Sequence, residues 1–170
     1  MKKHILLIIF IASFLIPNLF SSAQNKKIDS LLTLLKSDKV DTSKVKHLKA
    51  LAWLLVYQNP DTAIILGMEA LKIINPAPSA EFATIKEEFE DKRVRLLRAN
   101  ISGDLGSFYC LKTDYLNAIK YYQKGLKLDE GLKNKKGIAR DLGNIGNIFK
   151  AQGDYPKALD YYFEALKMAE

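Results

Sequence analysis

The chain has 170 residues, of which 48% are apolar and 26% charged, and its net charge at neutral pH is +7. This length suits one domain with a sizeable core, and the composition excludes a disordered, collagen-like or disulfide-rich protein. Cys110 is the only cysteine, so no internal disulfide can form and packing has to stabilise the fold.

The N-terminal segment, residues 1–23, has the layout of a secretory signal peptide. Lys2 and Lys3 are followed by an apolar run from Ile5 to Ile16, and small residues end at Ala23. This run is shorter than the ~20 apolar residues that a membrane-spanning helix needs, which favours cleavage after Ala23. We therefore expect an exported protein, periplasmic or associated with the envelope. The alternative is that the segment is kept as an N-terminal anchor.

Helical spacing of apolar residues recurs along the rest of the chain, and no segment shows the period-two alternation of a strand. Asn59 and Pro60 predict a helix start, with Asn59 as the N-cap and Pro60 in the first turn. The pattern predicts helices over about 27–36, 42–58, 61–74, 114–132, 138–152 and 154–170.

A longer helix is expected between the third and fourth of these. From Ser79 to Thr113 apolar residues recur at three- and four-residue steps without a breaker, which predicts a single helix of about thirty residues. Gly103 and Gly106 lie inside it, and each costs about 1 kcal/mol relative to alanine. We therefore expect another helix to press against the backbone at these glycines.

Residues 111–130 and 151–170 have nearly the same sequence, since eight of the twenty aligned positions are identical. The similarity extends backwards and sets Gly106 in register with Gly146. A tandem repeat of this length indicates stacked units, each of which buries the apolar face of its neighbour. Each unit is expected to be two helices joined by a tight polar turn.

Small and large residues in each unit fit the packing of such helices. We expect the small residues where helix axes approach, the large ones in the gaps, and Tyr121 and Tyr161 in more exposed positions. The small residues are Gly106, Ala118 and Gly125, then Gly146, Ala158 and Ala165; the large ones are Leu105, Tyr109 and Tyr122, then Ile145, Phe149 and Tyr162.

These positions resemble the signature of the tetratricopeptide repeat (TPR) family: a bulky residue, Leu-Gly, an aromatic residue, and later Ala with an aromatic residue four positions on. The period is 40 residues rather than 34, with the additional residues around 131–138. The resemblance implies an all-α, right-handed superhelix, an α-solenoid of about three hairpins behind a short leading helix. The last unit matches at Leu142, Ile145, Gly146, Phe149, Ala158 and Tyr162, and the preceding unit at Leu105, Gly106, Tyr109, Ala118 and Tyr122, with Ser102 in place of the bulky residue.

The N-terminal half resembles a degenerate first repeat, in which Ala52, Ala63 and Gly67 take the small positions. The resemblance divides the chain after the signal peptide into a repeat at about 42–75, a long-helix insertion at about 76–98, and repeats at about 99–132 and 139–170. This layout is similar to exported TPR regions of Bacteroidetes-type proteins, which often precede a histidine kinase or regulator domain.

The chain offers little for catalysis or cofactor binding. His47 has no second histidine or cysteine at metal-ligand spacing, and the Gly143–Gly146 stretch lacks the strand and third glycine of a dinucleotide fingerprint. The basic segments 92–98 and 133–136 lack the interleaved aromatic residues that stack on single-stranded nucleic acid. We therefore expect no enzyme activity, no metal, no cofactor and no nucleic-acid ligand.

In TPR proteins the first helix of each hairpin lines a concave, peptide-binding groove, and the resemblance implies the same surface here. The alternative is that these positions are ordinary solvated helix surface. Gly103 and Ser107 stand where the family's clamp for C-terminal carboxylates has lysine and asparagine, so that ligand is not expected. The implied polar lining is Asn100, Asp104, Ser107, Arg140, Asn144, Asn147 and Lys150, with Gly103, Cys110 and Gly143 between them.

The sequence thus predicts a non-enzymatic TPR scaffold in the cell envelope that binds a protein or peptide. The alternative is the sensory part of a larger signalling protein such as a histidine kinase. In the last predicted helix, Tyr162 and Leu166 are expected to pack onto the preceding helix, whereas Leu159, Phe163 and Met168 cannot all do so. We therefore expect self-association through this helix, or a protein that continues beyond it.

Overall fold

The computed structural model describes residues 22–38, 42–74 and 92–169. Most of the expected signal peptide and the first part of the long helix predicted from Ser79 lie outside these ranges. No helix within them is both long and apolar enough to cross a membrane. The described residues form α1 (Ser22–Ser37), α2 (Thr42–Leu55), α3 (Pro60–Ile74), α4 (Lys92–Leu111), α5 (Tyr115–Gly131), α6 (Lys135–Ala151) and α7 (Tyr155–Ala169), and no strand.

The helices stack in chain order. The pairs α2 with α3, α4 with α5, and α6 with α7 form three hairpins, and α1 packs against α2. The hairpins are joined because α3 packs against α4 and α5 against α6. This arrangement confirms the predicted all-α solenoid of helix hairpins, because each hairpin buries the apolar side of its neighbour.

Several helix ends differ from the sequence prediction. α1 begins at Ser22, five residues early, and α2 ends at Leu55, three residues early. α6 begins at Lys135 rather than Ile138, so only three residues separate it from α5. The additional residues of the 40-residue period are therefore mostly helical, and they lengthen the hairpins instead of forming a loop.

The same turn ends α4, α5 and α6. Thr113, Lys133 and Gly153, spaced twenty residues apart, have positive φ angles of 59°, 53° and 80°. In the first turn the amide of Asp114 donates to the carbonyl of Tyr109 at 3.0 Å, and the other two turns repeat this bond. These features define a Schellman motif, in which a left-handed residue ends the helix and satisfies its last carbonyl groups.

Side-chain caps begin three of the described helices, and at α7 the carboxylate of Asp154 accepts a hydrogen bond from the amide of Lys157 at 3.3 Å. Asn59 Oδ1 accepts a hydrogen bond from the amide of Thr62 at 3.0 Å, which confirms the predicted cap of α3. Asp114 caps α5 by accepting from the amide of Asn117 at 3.2 Å. The side-chain and backbone hydrogen bonds from Asn117 also lower the pKa of the Asp114 carboxyl.

The core consists of two clusters of buried apolar side chains. The larger lies among α1, α2, α3 and α4, where Trp53 meets Phe108 edge to face at 5.1 Å. The smaller joins α5 to α6 and consists of Ala118, Tyr122, Ile145 and Ile148. Contacts between hairpins, rather than within single helices, therefore fill the interior.

Gly106 and Gly146 lie where a tyrosine ring presses onto the helix backbone. A Cβ at Gly106 would lie 2.6 Å from the ring of Tyr122, and one at Gly146 would lie 2.7 Å from the ring of Tyr162. These distances are shorter than real carbon contacts, so the close approach requires glycine at both positions. Tyr122 is buried, whereas Tyr162 is only half-buried.

Tyr121 is buried, so its predicted exposure is wrong. Its ring stacks on Tyr109 at 5.4 Å, and its hydroxyl donates to Sδ of Met68 at 3.1 Å. The reason is that α5 reaches back to α3 as well as to α4. Tyr161 stacks on Phe149 at the same distance but remains half-buried.

Candidate peptide-binding groove

The first helices of the three hairpins, α2, α4 and α6, border two adjoining open clefts. One, of about 360 Å³, lies between α2 and the N-terminal half of α4. The other, of about 590 Å³, lies between α4, the start of α6 and the α5–α6 turn. Both are lined by Leu96 and Asn100, so together they form one depression, which we call the basic groove.

The basic groove combines cationic and apolar side chains. Among the described residues no carboxylate lines either cleft. A lining of this kind favours a ligand that carries negative charge beside apolar groups. The cationic side chains are Lys46, Lys92, Arg93, Lys133, Lys136 and Arg140, and the apolar ones are Val94, Leu96, Leu97 and Leu132.

Arg140 joins α4 to α6 in the wall of the groove. Its Nη1 donates to Asn100 Oδ1 at 3.0 Å, and its Nε donates to Asp141 Oδ1 at 2.8 Å. Its Nη2 lies 3.6 Å from Asp129 Oδ2. The side chain remains 39% exposed, so part of the guanidinium faces the cleft while the rest neutralises buried carboxylates.

Asp129 and Asp141 are both fully buried beside Arg140. Two glycines provide the space: a Cβ at Gly125 would collide with Asp141 Oδ2, and a Cβ at Gly137 would collide with Asp129 Oδ2. These two oxygens have no hydrogen-bond partner within the described ranges. A buried carboxylate is costly unless a cation pairs with it, so Arg140 is the group on which this arrangement depends.

Burial and charge shift the pKa values of this cluster in opposite directions. Burial raises the pKa of Asp141, and the hydrogen bond from Arg140 offsets part of this. Burial also raises the pKa of Asp104, whose Oδ2 lies 3.1 Å from Lys49 Nζ on α2. Burial lowers the pKa of Arg140, but the hydrogen bond and charge of Asp141, with the other two carboxylates, outweigh it and raise the pKa.

The structure brings together only part of the groove lining that the resemblance implies. Asn100 and Arg140 both line the larger cleft and are hydrogen-bonded to each other. Asp104 lies one turn further along α4 and pairs with Lys49. Asn144 and Lys150 lie further along α6, half-buried and exposed respectively, and do not line the two clefts.

Ser107 and Asn147, forty residues apart, bond to the tyrosine of their own hairpin. Ser107 Oγ donates to the backbone oxygen of Gly103 at 3.1 Å and accepts from the Tyr122 hydroxyl at 3.1 Å. Asn147 Oδ1 accepts from the Tyr162 hydroxyl at 2.8 Å. Burial raises the pKa of Tyr122 to about 12, and the bond to Ser107 offsets part of this shift.

The sequence pattern did not predict that Asp129 and Asp141 are buried, or that cationic side chains line the basic groove. Asp141 stands forty residues after Ile101, which is buried in the preceding hairpin, and a carboxylate at an apolar repeat position is a signal that could have identified it. Lys133 and Lys136 stand out in the sequence only as part of a short basic segment. Because α6 was expected to start at Ile138, the turn that carries Lys133 was not placed against α4.

Comparison with known proteins bears on the last two hairpins. The tetratricopeptide repeat family matches residues 97–170. No curated protein matches the chain. Among solved structures, the crystal structure of MamA is similar, with 19% sequence identity and a TM-score of 0.38, over 89% of this chain and 96% of the MamA chain.

Proposed function

We propose that the whole chain is a non-enzymatic TPR scaffold and that it binds an acidic, partly apolar segment of another protein in the basic groove. The observation that carries the proposal is the groove itself, which spans all three first helices and combines cationic with apolar lining. Carboxylates of an extended segment would meet the lysines, and its apolar side chains would cover Leu96 and Leu132. TPR regions bind protein partners in general, which supports this role.

The walls of the groove are held in place before a ligand arrives. Arg140 ties α6 to Asn100 on α4, and Lys49 ties α2 to Asp104 on α4. A binding surface that is already ordered loses less conformational entropy on binding, which raises affinity for a given set of contacts. This supports binding rather than catalysis, since both ties position helices and neither activates a nucleophile.

Fluorescence anisotropy with two labelled peptides tests the proposal. One peptide is rich in glutamate with interspersed leucines, and the other has glutamine in place of each glutamate. We expect the acidic peptide to bind more tightly and its affinity to fall as salt is added. Exchanging Lys133 and Lys136 together for glutamate should weaken binding at least about tenfold, or roughly 1.4 kcal/mol.

A matched control distinguishes the groove from general charge attraction. The double exchange of Lys120 and Lys127 for glutamate alters the net charge equally, but both side chains are exposed on α5 and neither lines the groove. This control should retain most of the affinity. Equal affinity for the acidic and glutamine peptides, or equal loss in the two variants, would contradict the proposed site.

We also propose that the protein is exported and acts in the envelope. The support is the basic start, apolar run and small residues of segment 1–23. Protein isolated from the envelope should have the intact mass of a chain that starts at Gln24, and retention of Met1 would indicate an anchor instead.

The alternative role, as part of a larger signalling protein, uses the same groove. Reading the gene past the codon for Glu170 distinguishes this role from that of an independent scaffold. Self-association through α7 is a further part of the proposal.

A further inference from the structure

The last helix exposes a row of large apolar side chains. Tyr155, Leu159, Phe163 and Leu166 are 64%, 53%, 58% and 57% exposed. Their spacing of three and four residues places them along one face of α7, which we call the α7 stripe. The expectation that Leu166 packs onto α6 is wrong, because it lies on the same outward side as Leu159.

One position of the α7 stripe, that of Leu159, is packed against a neighbouring helix in the preceding hairpin. Ile119 on α5 stands forty residues before Leu159, and it packs against the cluster that contains Ile145 and Ile148 of α6. The position of Leu159 on α7 has the same register but is more than half exposed. At Leu159 the stripe therefore continues an established type of helix–helix interface, whereas Phe163 corresponds to the exposed Gln123 of α5. The complement of the stripe is another amphipathic helix.

The charges around the stripe favour a second copy of this chain as the occupant. The chain is basic overall, but the described part of α7 carries two lysines and two acids: Lys157, Asp160, Glu164 and Lys167. Two copies therefore do not repel each other at this helix. Asp160 and Lys167 both lie on the same flank of the stripe, so each copy presents one negative and one positive charge there.

We propose that two copies associate through an antiparallel, two-fold pairing of α7. A pairing that sets Leu159 opposite Leu166 of the second copy places Phe163 near the two-fold axis. With a rise of about 1.5 Å per residue, Asp160 then lies about 3 Å along the axis from Lys167 of the second copy, close enough for an ion pair. Two-fold symmetry repeats this contact, so the dimer contains two such ion pairs.

The dimer is weak, because one fifteen-residue helix per copy offers less than the ~800 Å² per partner of a standard interface. We expect dissociation in the micromolar to submillimolar range. The stripe lies on α7, whereas the basic groove lies on α2, α4 and α6, so dimerisation leaves both grooves open. A partner with two acidic segments would then gain affinity by avidity.

Analytical ultracentrifugation tests the dimer with protein expressed from its full-length gene and purified as the cell processes it. The wild type should shift from monomer to dimer as its concentration rises from micromolar to submillimolar. Phe163→Glu should weaken association at least about a hundredfold, because the dimer would bury a charge beside apolar side chains. The melting temperature should stay unchanged, since Phe163 is already 58% exposed.

Two further variants make the test specific. Gln123→Glu alters the equivalent exposed position on α5 and should leave association unchanged. Asp160→Lys should weaken the dimer, and the double variant Asp160→Lys with Lys167→Asp should restore it. A wild type that stays monomeric, or a dimer that Phe163→Glu does not weaken, overturns the proposal. Failure of the double variant to restore association overturns the antiparallel pairing. Peptide affinity of Phe163→Glu, measured separately, reports on the groove alone.

Discussion

The hairpins α4–α5 and α6–α7 share a sequence pattern but differ in how deeply the same residues are buried. Tyr122 is 3% exposed in the first hairpin, whereas its counterpart Tyr162 is half-buried in the second. Both rings lie against a glycine, and both hydroxyls bond to a side chain of the first helix. The local sequence thus sets the geometry within a hairpin, while the neighbouring helices set how much each contact contributes to stability.

The two hairpins also differ where the groove is formed. Asn100 and Ile101 in α4 correspond to Arg140 and Asp141 in α6. In the first hairpin an apolar residue fills the buried position; in the second a carboxylate fills it and is paired with the arginine. The repeat keeps its backbone while one pair of residues converts a packing contact into an electrostatic contact between hairpins.

The largest expected effect compares leucine at the two glycines. Gly106→Leu should destabilise the protein by about 3 kcal/mol or more, because Tyr122 is enclosed by α6 and cannot move aside. Gly146→Leu should cost only about 1 kcal/mol, because the half-buried Tyr162 can rotate outward. Urea unfolding of both variants measures the difference. Equal losses would show that burial by neighbouring helices does not set the energetic weight of the contact.

The sequence revealed the hairpins because their positions repeat and because breakers and caps such as Asn59-Pro60 act locally. The sequence did not reveal which residues of other helices contact a given repeat position. Tyr121 reads as exposed on its own helix, but Met68 of α3 covers it. Asp141 reads as polar surface, but Gly125 of α5 leaves room for its carboxylate in the interior. Whether these side chains are buried depends on residues far away in the chain. The periodicity within one helix carries no information about those residues.

The second prediction concerns Arg140, the cation that distinguishes hairpin α6–α7 from hairpin α4–α5. Arg140→Met should cost about 2–3 kcal/mol, because it leaves Asp129 and Asp141 buried without a counter-charge. The value lies below that of a fully buried pair, since Arg140 is 39% exposed and partly screened by water. Adding Asp141→Asn to Arg140→Met should recover part of the loss. If the single variant unfolds at the same urea concentration as the wild type, the ion network does not hold the hairpins together.

The third prediction concerns how the stability difference between the wild type and Asp141→Asn changes with pH. Burial raises the pKa of Asp141 in the folded protein above the unfolded value of 3.8. Its contribution to the unfolding free energy is therefore fully present below pH 3.8 and is lost as the pH rises through the folded pKa. The stability of the wild type relative to Asp141→Asn should thus fall from acidic to neutral pH in urea titrations. A difference that grows with pH would mean that Arg140 outweighs burial.

The fourth prediction compares the two tyrosine hydroxyls. Tyr122→Phe should cost about 1–2 kcal/mol, because it removes a buried hydrogen bond and leaves Ser107 with one partner fewer. Tyr162→Phe should cost less than about 0.5 kcal/mol, because water can replace the hydroxyl beside the exposed Asn147. Thermal unfolding of the two variants provides the comparison. A larger loss from Tyr162→Phe would indicate that α7 is covered in solution.

The last prediction concerns the three turns that share one backbone conformation. Thr113 and Lys133 hold positive φ angles that side chains with a Cβ disfavour, whereas Gly153 holds its angle without that penalty. Thr113→Gly and Lys133→Gly should each stabilise the protein by about 0.5–1 kcal/mol, less than the full strain because glycine gains entropy in the unfolded chain. Gly153→Ala should destabilise it by about 1 kcal/mol, although a Cβ there meets no atom within 4 Å. Because no packing changes at Gly153, this variant isolates backbone strain. A Gly153→Ala protein that unfolds at the same urea concentration as the wild type would show that these turns relax without cost.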